Sequence, residues 1–175
     1  GVDLTTGSLG QGISTAIGAA LASRVLGGSN YAYCIVGDGE CDEGQVWEGA
    51  LFAAHQKLDN FVLFVDSNKK QLDGNVEDIC NLNSLEDKFK AFNWYTQSVD
   101  GHDVGEIGDA IERAKAWKGQ PSVIILNTIK GKGCKLSEEA AVNHHMTFSD
   151  EKANEEEIKR MEQVVEDLAK EWRAM

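Results

Sequence analysis

The sequence predicts an α/β fold, a mostly parallel sheet of four strands with helices on both faces and a ligand site at the strands' C-terminal edge. Three observations predict it. Four short β-rich runs occur, Tyr31–Val36, Phe61–Val65, Trp94–Val99 and Ser122–Asn127. Segments of helical spacing lie between them, and crossovers of that kind are what parallel pairing requires. The first run stops at Gly37-Asp38-Gly39 and the second at Asp66-Ser67-Asn68, which brings an acid and an amide to one edge of the sheet.

Before the first strand, Thr5-Thr6-Gly7-Ser8-Leu9-Gly10-Gln11-Gly12 leads into Ile13–Ala22, a small, apolar stretch suited to a closely packed helix that stops at Gly27-Gly28. The Gly-rich entry has two readings: a cap with close packing, or backbone N–H groups set against an anion. A helix follows the first strand from Gly44 to about Lys57, with Val46, Trp47, Ala50, Leu51 and Ala54 facing the core. Glu43 and Glu48 read there as solvated acids that the helix dipole favours, and His55 as an ordinary helix residue.

Asp66 to Gly74 is expected to be a loop, Leu85–Phe92 a short helix and Asp100–Asp103 a turn with a solvated His102. Ile107, Ala110, Ile111 and Ala114 define an amphipathic helix ending near Trp117. Lys130-Gly131-Lys132-Gly133 reads either as a phosphate contact or as a flexible basic turn. His144 and His145 form a pair without an evident third metal ligand. From Asp150 to Met175 runs a charged helix whose stripe Ile158, Met161, Val165 and Leu168 is expected to dock. The domain reading is therefore 1–149 for the α/β part and 150–175 for a helix packed on it.

Two glycines around Asp38 at a strand end let the backbone turn sharply and approach a ligand, leaving one carboxylate projecting. Asp38, Asn68 and nearby main-chain carbonyls suit a hard cation, Mg²⁺ or Ca²⁺, which keeps waters and takes further ligands from a substrate phosphate. A metal–diphosphate clamp is one reading. A tight turn followed by a loop cap is the other.

At 175 residues the chain is one domain's worth, and its net charge of −12 argues against nucleic acid or an anionic membrane as main partner. Cys34, Cys41, Cys80 and Cys134 form no C-x-x-C pair, and free thiols fit a reducing cytoplasm. No signal peptide or membrane-spanning apolar run appears. The opening at Gly1, directly before a ligand-type loop, reads as a piece of a longer product.

The blocks Thr5–Gly12, Gly37-Asp38-Gly39, Glu43-Gly44-Gln45-Val46-Trp47-Glu48, Asp66-Ser67-Asn68 and Leu72-Asp73-Gly74 resemble, in order and spacing, the thiamine-diphosphate motif of transketolases. The likeness is greatest to the N-terminal subunit of transketolases encoded as two chains, and it runs to about His145. It implies a thiamine-diphosphate-binding fold and transfer of a two-carbon ketol unit between sugar phosphates, with thiamine diphosphate and Mg²⁺ (or Ca²⁺), in the pentose phosphate pathway. Asp38, Asn68 and the main-chain carbonyl of Lys70 would hold the metal, with Lys70 standing where an apolar side chain is usual. Gly7, Leu9, Gly37, Asp38, Gly39 and Asn68 would form the cofactor site. Glu43 and Glu48 would belong to a carboxylate network linking two active sites at a dimer interface, where close like charges share a proton. Alignment on Glu139 and Val142 makes His145 the histidine at diphosphate or substrate, with Met146 in place of an expected glycine. The family's other substrate histidines and its pyrimidine-activating glutamate lie outside this sequence. The chain is thus expected to be inactive without a partner bearing a pyrimidine-binding domain, in a homo- or hetero-oligomer. Deoxyxylulose-phosphate synthase and two-oxo-acid dehydrogenase subunits share the clamp, and a non-catalytic assembly module is the alternative from another class.

Overall fold

The computed structural model describes residues 1–140 and 143–174. The first unit, residues 1–128, contains α1 (Gln11–Val25), β1 (Ala32–Gly37), α2 (Gly44–His55) and β2 (Phe61–Ser67). A small hairpin follows, β3 (Lys70–Gln71) and β4 (Gly74–Asn75), then α3 (Val76–Ile79), α4 (Leu85–Ala91), β5 (Tyr95–Asp100), α5 (Val104–Ala116) and β6 (Ser122–Asn127). The second unit, residues 129–175, contains α6 (Lys135–Glu138) and α7 (Glu151–Ala174).

The main sheet has the order β1-β2-β6-β5 and is parallel throughout. Its two central strands are the ones with continuous apolar runs. Phe61–Val65 of β2 and Ser122–Ile125 of β6 are wholly buried because helices cover both their faces. The outer strand β1 alternates instead: Cys34 and Val36 are buried while Tyr33 and Ile35 are exposed. On one face Ile13 and Ile17 of α1, Val46 and Ala50 of α2, and Leu85 and Phe89 of α4 form the larger core. Phe89 lies between Trp47 and Trp94, ring centroids 5.1 and 5.3 Å away, and such aromatic pairs add about 0.5–1.5 kcal/mol beyond their buried area. Trp94 also donates its indole N–H to the Ala50 carbonyl at 2.9 Å, so its polar edge is satisfied inside that core. On the other face Ala110 and Ala114 of α5 pack on Val62, Phe64, Val99 and Ile124.

Two expectations change. Asp66–Gly74 is not a plain loop: Lys70 pairs with Asn75 and Gln71 with Gly74, a hairpin too short to show an alternating pattern. Leu51 is 63% exposed, and Ala53 takes the buried position on α2. The segment before α7 belongs with it to the second compact unit. The reason is a set of bonds across that segment: Lys135 N–H donates to Glu157 Oε1 at 2.7 Å, and Arg160 donates to the Gly133 carbonyl. The stripe Ile158, Met161, Val165 and Leu168 is exposed, and the buried residue of α7 is Glu157. Met175, the expected end of that helix, lies outside the described residues.

Candidate functional site

In the parallel register Gly37 stands opposite Asp66, so β1 and β2 end level and their following residues share one edge. Asp38 N–H donates to the Asp66 carbonyl at 3.0 Å, extending the ladder by one bond. The Asp38 side chain is only 2% exposed. Its Oδ1 accepts Gly39 N–H at 2.9 Å and its Oδ2 accepts Lys69 N–H at 2.6 Å. Burial holds this carboxyl above the ordinary aspartate range, against the pull of those two backbone donors. The Lys69 ammonium lies near enough to pull in the same direction, yet it donates to Ser67 Oγ at 2.6 Å and not to Asp38.

The chain reverses at Lys69, which takes a left-handed backbone (φ 65°) at a cost of about 1–2 kcal/mol. That turn points its N–H back at Asp38. Half-buried Asn68 accepts Lys70 N–H on its Oδ1 at 3.0 Å, an Asx turn that leaves the amide oxygen a second lone pair. Asp38 is thus bonded to the turn that follows Asn68, far away in sequence, at the strand ends. Gly39 is required by contact: a Cβ there would sit 2.7 Å from Gln71 Cβ. Beside it the buried Nε2 of Gln71 has no hydrogen-bond partner among the described residues.

The Gly-rich entry ends on Gly10, buried and left-handed (φ 78°), directly before α1. No side chain of its own caps this helix, and no acid lies in its first turn. Glu40 supplies both, accepting Gly10 N–H on Oε1 at 2.8 Å and Gly37 N–H on Oε2 at 3.2 Å. Sequence reasoning left Glu40 out, and its signal was an acid directly after Gly-Asp-Gly. Gly7 and Leu9 are both exposed, and Leu9 lines a cleft of about 760 Å³ together with Thr6, Ser8, Tyr33, Glu40 and Phe64.

Glu43 and Glu48 are exposed at the start of α2. His145 belongs to the second unit, with a left-handed backbone (φ 55°) and its ring edge-on to His144 at 4.5 Å. His144 Nδ1 lies 3.1 Å from Lys130 Nζ, and desolvation, with that cation and His145, lowers its pKa. Val142, used to place His145, lies outside the described residues. In the Lys130–Gly133 turn Gly133 N–H is already taken by Glu138 at 2.6 Å, Lys132 N–H by the Ile129 carbonyl. These bonds favour the basic-turn reading over a phosphate-binding one.

A family model described as the transketolase thiamine diphosphate binding domain matches residues 1–165. The chain belongs to the transketolase family. This transketolase domain is 52% identical over 151 residues to a 6-deoxy-6-sulfo-D-fructose transketolase subunit of Clostridium sp. (strain MSTE9), covering 86% of this chain and 55% of that protein. It is 40% identical over 145 residues to an apulose-4-phosphate transketolase subunit of Actinobacillus succinogenes, covering 83% and 52%. The chain thus spans about half the length of these curated relatives. Among solved structures it resembles the transketolase of Campylobacter jejuni, with a TM-score of 0.72 and 36% identity over 77% of this chain and 22% of that one. The parallel α/β domain is the thiamine-diphosphate-binding domain of that family.

Proposed function

We propose that this chain is the diphosphate-binding part of a transketolase that moves a two-carbon ketol unit between sugar phosphates, with a divalent metal and a partner bearing the pyrimidine-binding domain. The carrying observation is the junction at the β1 and β2 ends, where the buried Asp38 carboxylate accepts the N–H of Lys69, the residue after Asn68, and has no hydrogen-bonded cation among the described residues.

That donor set fits the group. One carboxylate, one amide oxygen and a main-chain carbonyl are hard oxygen donors, suited to Mg²⁺ or Ca²⁺. Among the described residues no cluster of three His, Cys, Asp or Glu groups offers the softer set a zinc site uses. Gly39, packed against Gln71, leaves bare backbone at the turn, and the orphaned Gln71 donor lies beside it.

In this reading Asp38, Asn68 and the Lys70 carbonyl hold the metal. Gly37 and Gly39 keep the backbone close to the diphosphate, and Gly7 and Leu9 border the cofactor. When bound, thiamine diphosphate supplies the nucleophilic carbon that carries the two-carbon unit. His145 assists at diphosphate or substrate, and the exposed Glu43 and Glu48 meet a second protomer. Support for a partner comes from the relatives, which are named as transketolase subunits. The four free cysteines support a cytoplasmic setting. The acidic surface supports neither nucleic acid nor an anionic membrane as partner, and no helix among the described residues is long and apolar enough to cross a membrane.

The test is calorimetric titration of thiamine diphosphate with Mg²⁺ into the chain, beside Asp38→Ala, followed by ketol-transfer assays with and without a pyrimidine-domain partner. Metal-dependent binding lost in Asp38→Ala, and turnover only with the added partner, are expected. Turnover by the chain alone would sink the partner requirement. Absence of cofactor binding in the reconstituted pair would favour the assembly-module reading.

A further inference from the structure

We infer that Glu40 is a positioning residue: its carboxylate ties the Gly-rich entry of α1 to the turn carrying Asp38, so that both loops are set before a cofactor arrives. This rests on the cofactor-binding reading above. Each carboxylate oxygen takes one backbone donor, Oε1 from Gly10 at 2.8 Å and Oε2 from Gly37 at 3.2 Å. Those donors belong to the two segments that reading uses: Gly10 closes the entry that holds Gly7 and Leu9, and Gly37 directly precedes Asp38. A carboxylate suits the task because its two oxygens accept charge-assisted bonds at a fixed separation.

The surroundings make the bridge specific. α1 has no cap and no first-turn acid of its own, so the Glu40 charge also answers the positive end of its dipole. Gly10 has little room to shift, since a Cβ on it would meet Glu43 Cβ at 3.1 Å. Glu40 itself is held by the 3₁₀ turn Gly39–Asp42, which Asp38 caps by accepting Gly39 N–H and which Gln71 backs at Gly39. The same side chain forms part of the wall of the cleft beside Thr6, Ser8 and Leu9. An acid reaching the entry from the metal-side turn thus couples the two halves of the site without being a metal ligand.

The experiment compares the full chain with Glu40→Gln, which keeps the shape and loses one acceptor and the charge. Two quantities are read: amide exchange of Gly10 and Gly37 without ligand, and affinity for thiamine diphosphate with Mg²⁺, using the pyrimidine-domain partner if the chain needs it. Exchange at both glycines should quicken at least tenfold, and affinity should fall at least tenfold, with the unfolding midpoint little changed. Glu40→Asp keeps the charge but reaches only one donor, so it should recover part of the affinity; it is also the fallback if Glu40→Gln does not fold. Wild-type affinity in Glu40→Gln, or a loss that merely follows a global drop in stability, overturns the inference while leaving the cofactor reading intact. A wild-type chain that binds no cofactor even with its partner overturns that reading, and leaves Glu40 a structural brace at most.

Discussion

Asp38 and Glu157 are buried acids in the two units of this chain, and their environments push them in opposite directions. Asp38, 2% exposed, is held by backbone N–H groups, and burial raises its pKa. Glu157, 8% exposed, receives the Arg160 guanidinium at 2.6 Å and Lys135 N–H, and its pKa drops to about 2. Glu157 has its cation at hydrogen-bond distance, whereas the carboxylate of Asp38 is bonded to backbone N–H groups while the nearby Lys69 ammonium turns to Ser67. The frames differ too. Asp38 rests on a sheet whose contacts are far apart in sequence, whereas the partners of Glu157 lie one turn along its own helix and on the adjoining α6 segment.

The largest effect should come from breaking the frame beneath Asp38. Phe89→Ala empties a fully buried position between Trp47 and Trp94, and such truncations cost about 3–5 kcal/mol. Urea unfolding should show a loss of that size. A loss below about 1 kcal/mol would mean that the core closes over the gap.

Next comes the acid itself. Asp38→Asn keeps the size but one acceptor oxygen only, so one of the two backbone N–H groups that Asp38 accepts loses its partner and stability should fall by about 1–3 kcal/mol. Its affinity for thiamine diphosphate with Mg²⁺ should also fall by more than the roughly 10–100-fold that losing an outer-shell partner of a metal costs. Titration and thermal melts read the two quantities separately. Equal affinity for both proteins would remove Asp38 from the metal site.

The contrast also predicts a pH dependence. The Glu157 pKa is depressed in the folded chain, from 4.5 to about 2, chiefly by the hydrogen bond from Arg160. Its contribution is therefore fully present above about 4.5 and is lost as pH falls through about 2. Glu157→Gln should melt its C-terminal helix earlier than wild type at pH 6, and the difference should close between pH 4.5 and 2. Melts followed by far-UV circular dichroism would show it; a difference that persists unchanged at pH 2 would rule out the ion pair as its source.

Much of the first unit was legible in the sequence. The four strands, the central pair with unbroken apolar runs and the shared edge at which β1 and β2 end all follow from period and from parallel connection, because burial on both faces leaves a pattern in the residues. Glu40 was not legible as a bridge, since its partners are backbone N–H groups that carry no side-chain signature. The β3–β4 hairpin has two residues per strand, too few for any period to show. Leu51 was read as core from helical spacing, yet it is 63% exposed and the small Ala53 is buried in its place. In the second unit Glu157 looked like one acid in a charged run; only the turn at Gly133 to Lys135 reveals why it is buried.

The smallest effect should be found on α7. Leu168 is 59% exposed, and leucine and alanine are both good helix formers, so Leu168→Ala changes propensity by only a few tenths of a kcal/mol. With little contact to lose, the change in stability should stay within about 0.5 kcal/mol. Thermal unfolding of the isolated chain, repeated after mixing with a pyrimidine-domain partner, gives the comparison its sharpest form. A small effect alone that grows above about 1 kcal/mol in the mixture would mean that the exposed stripe becomes an interface. A small effect in both would leave α7 a surface helix held at Glu157, and a large effect alone would show the stripe already covered in solution.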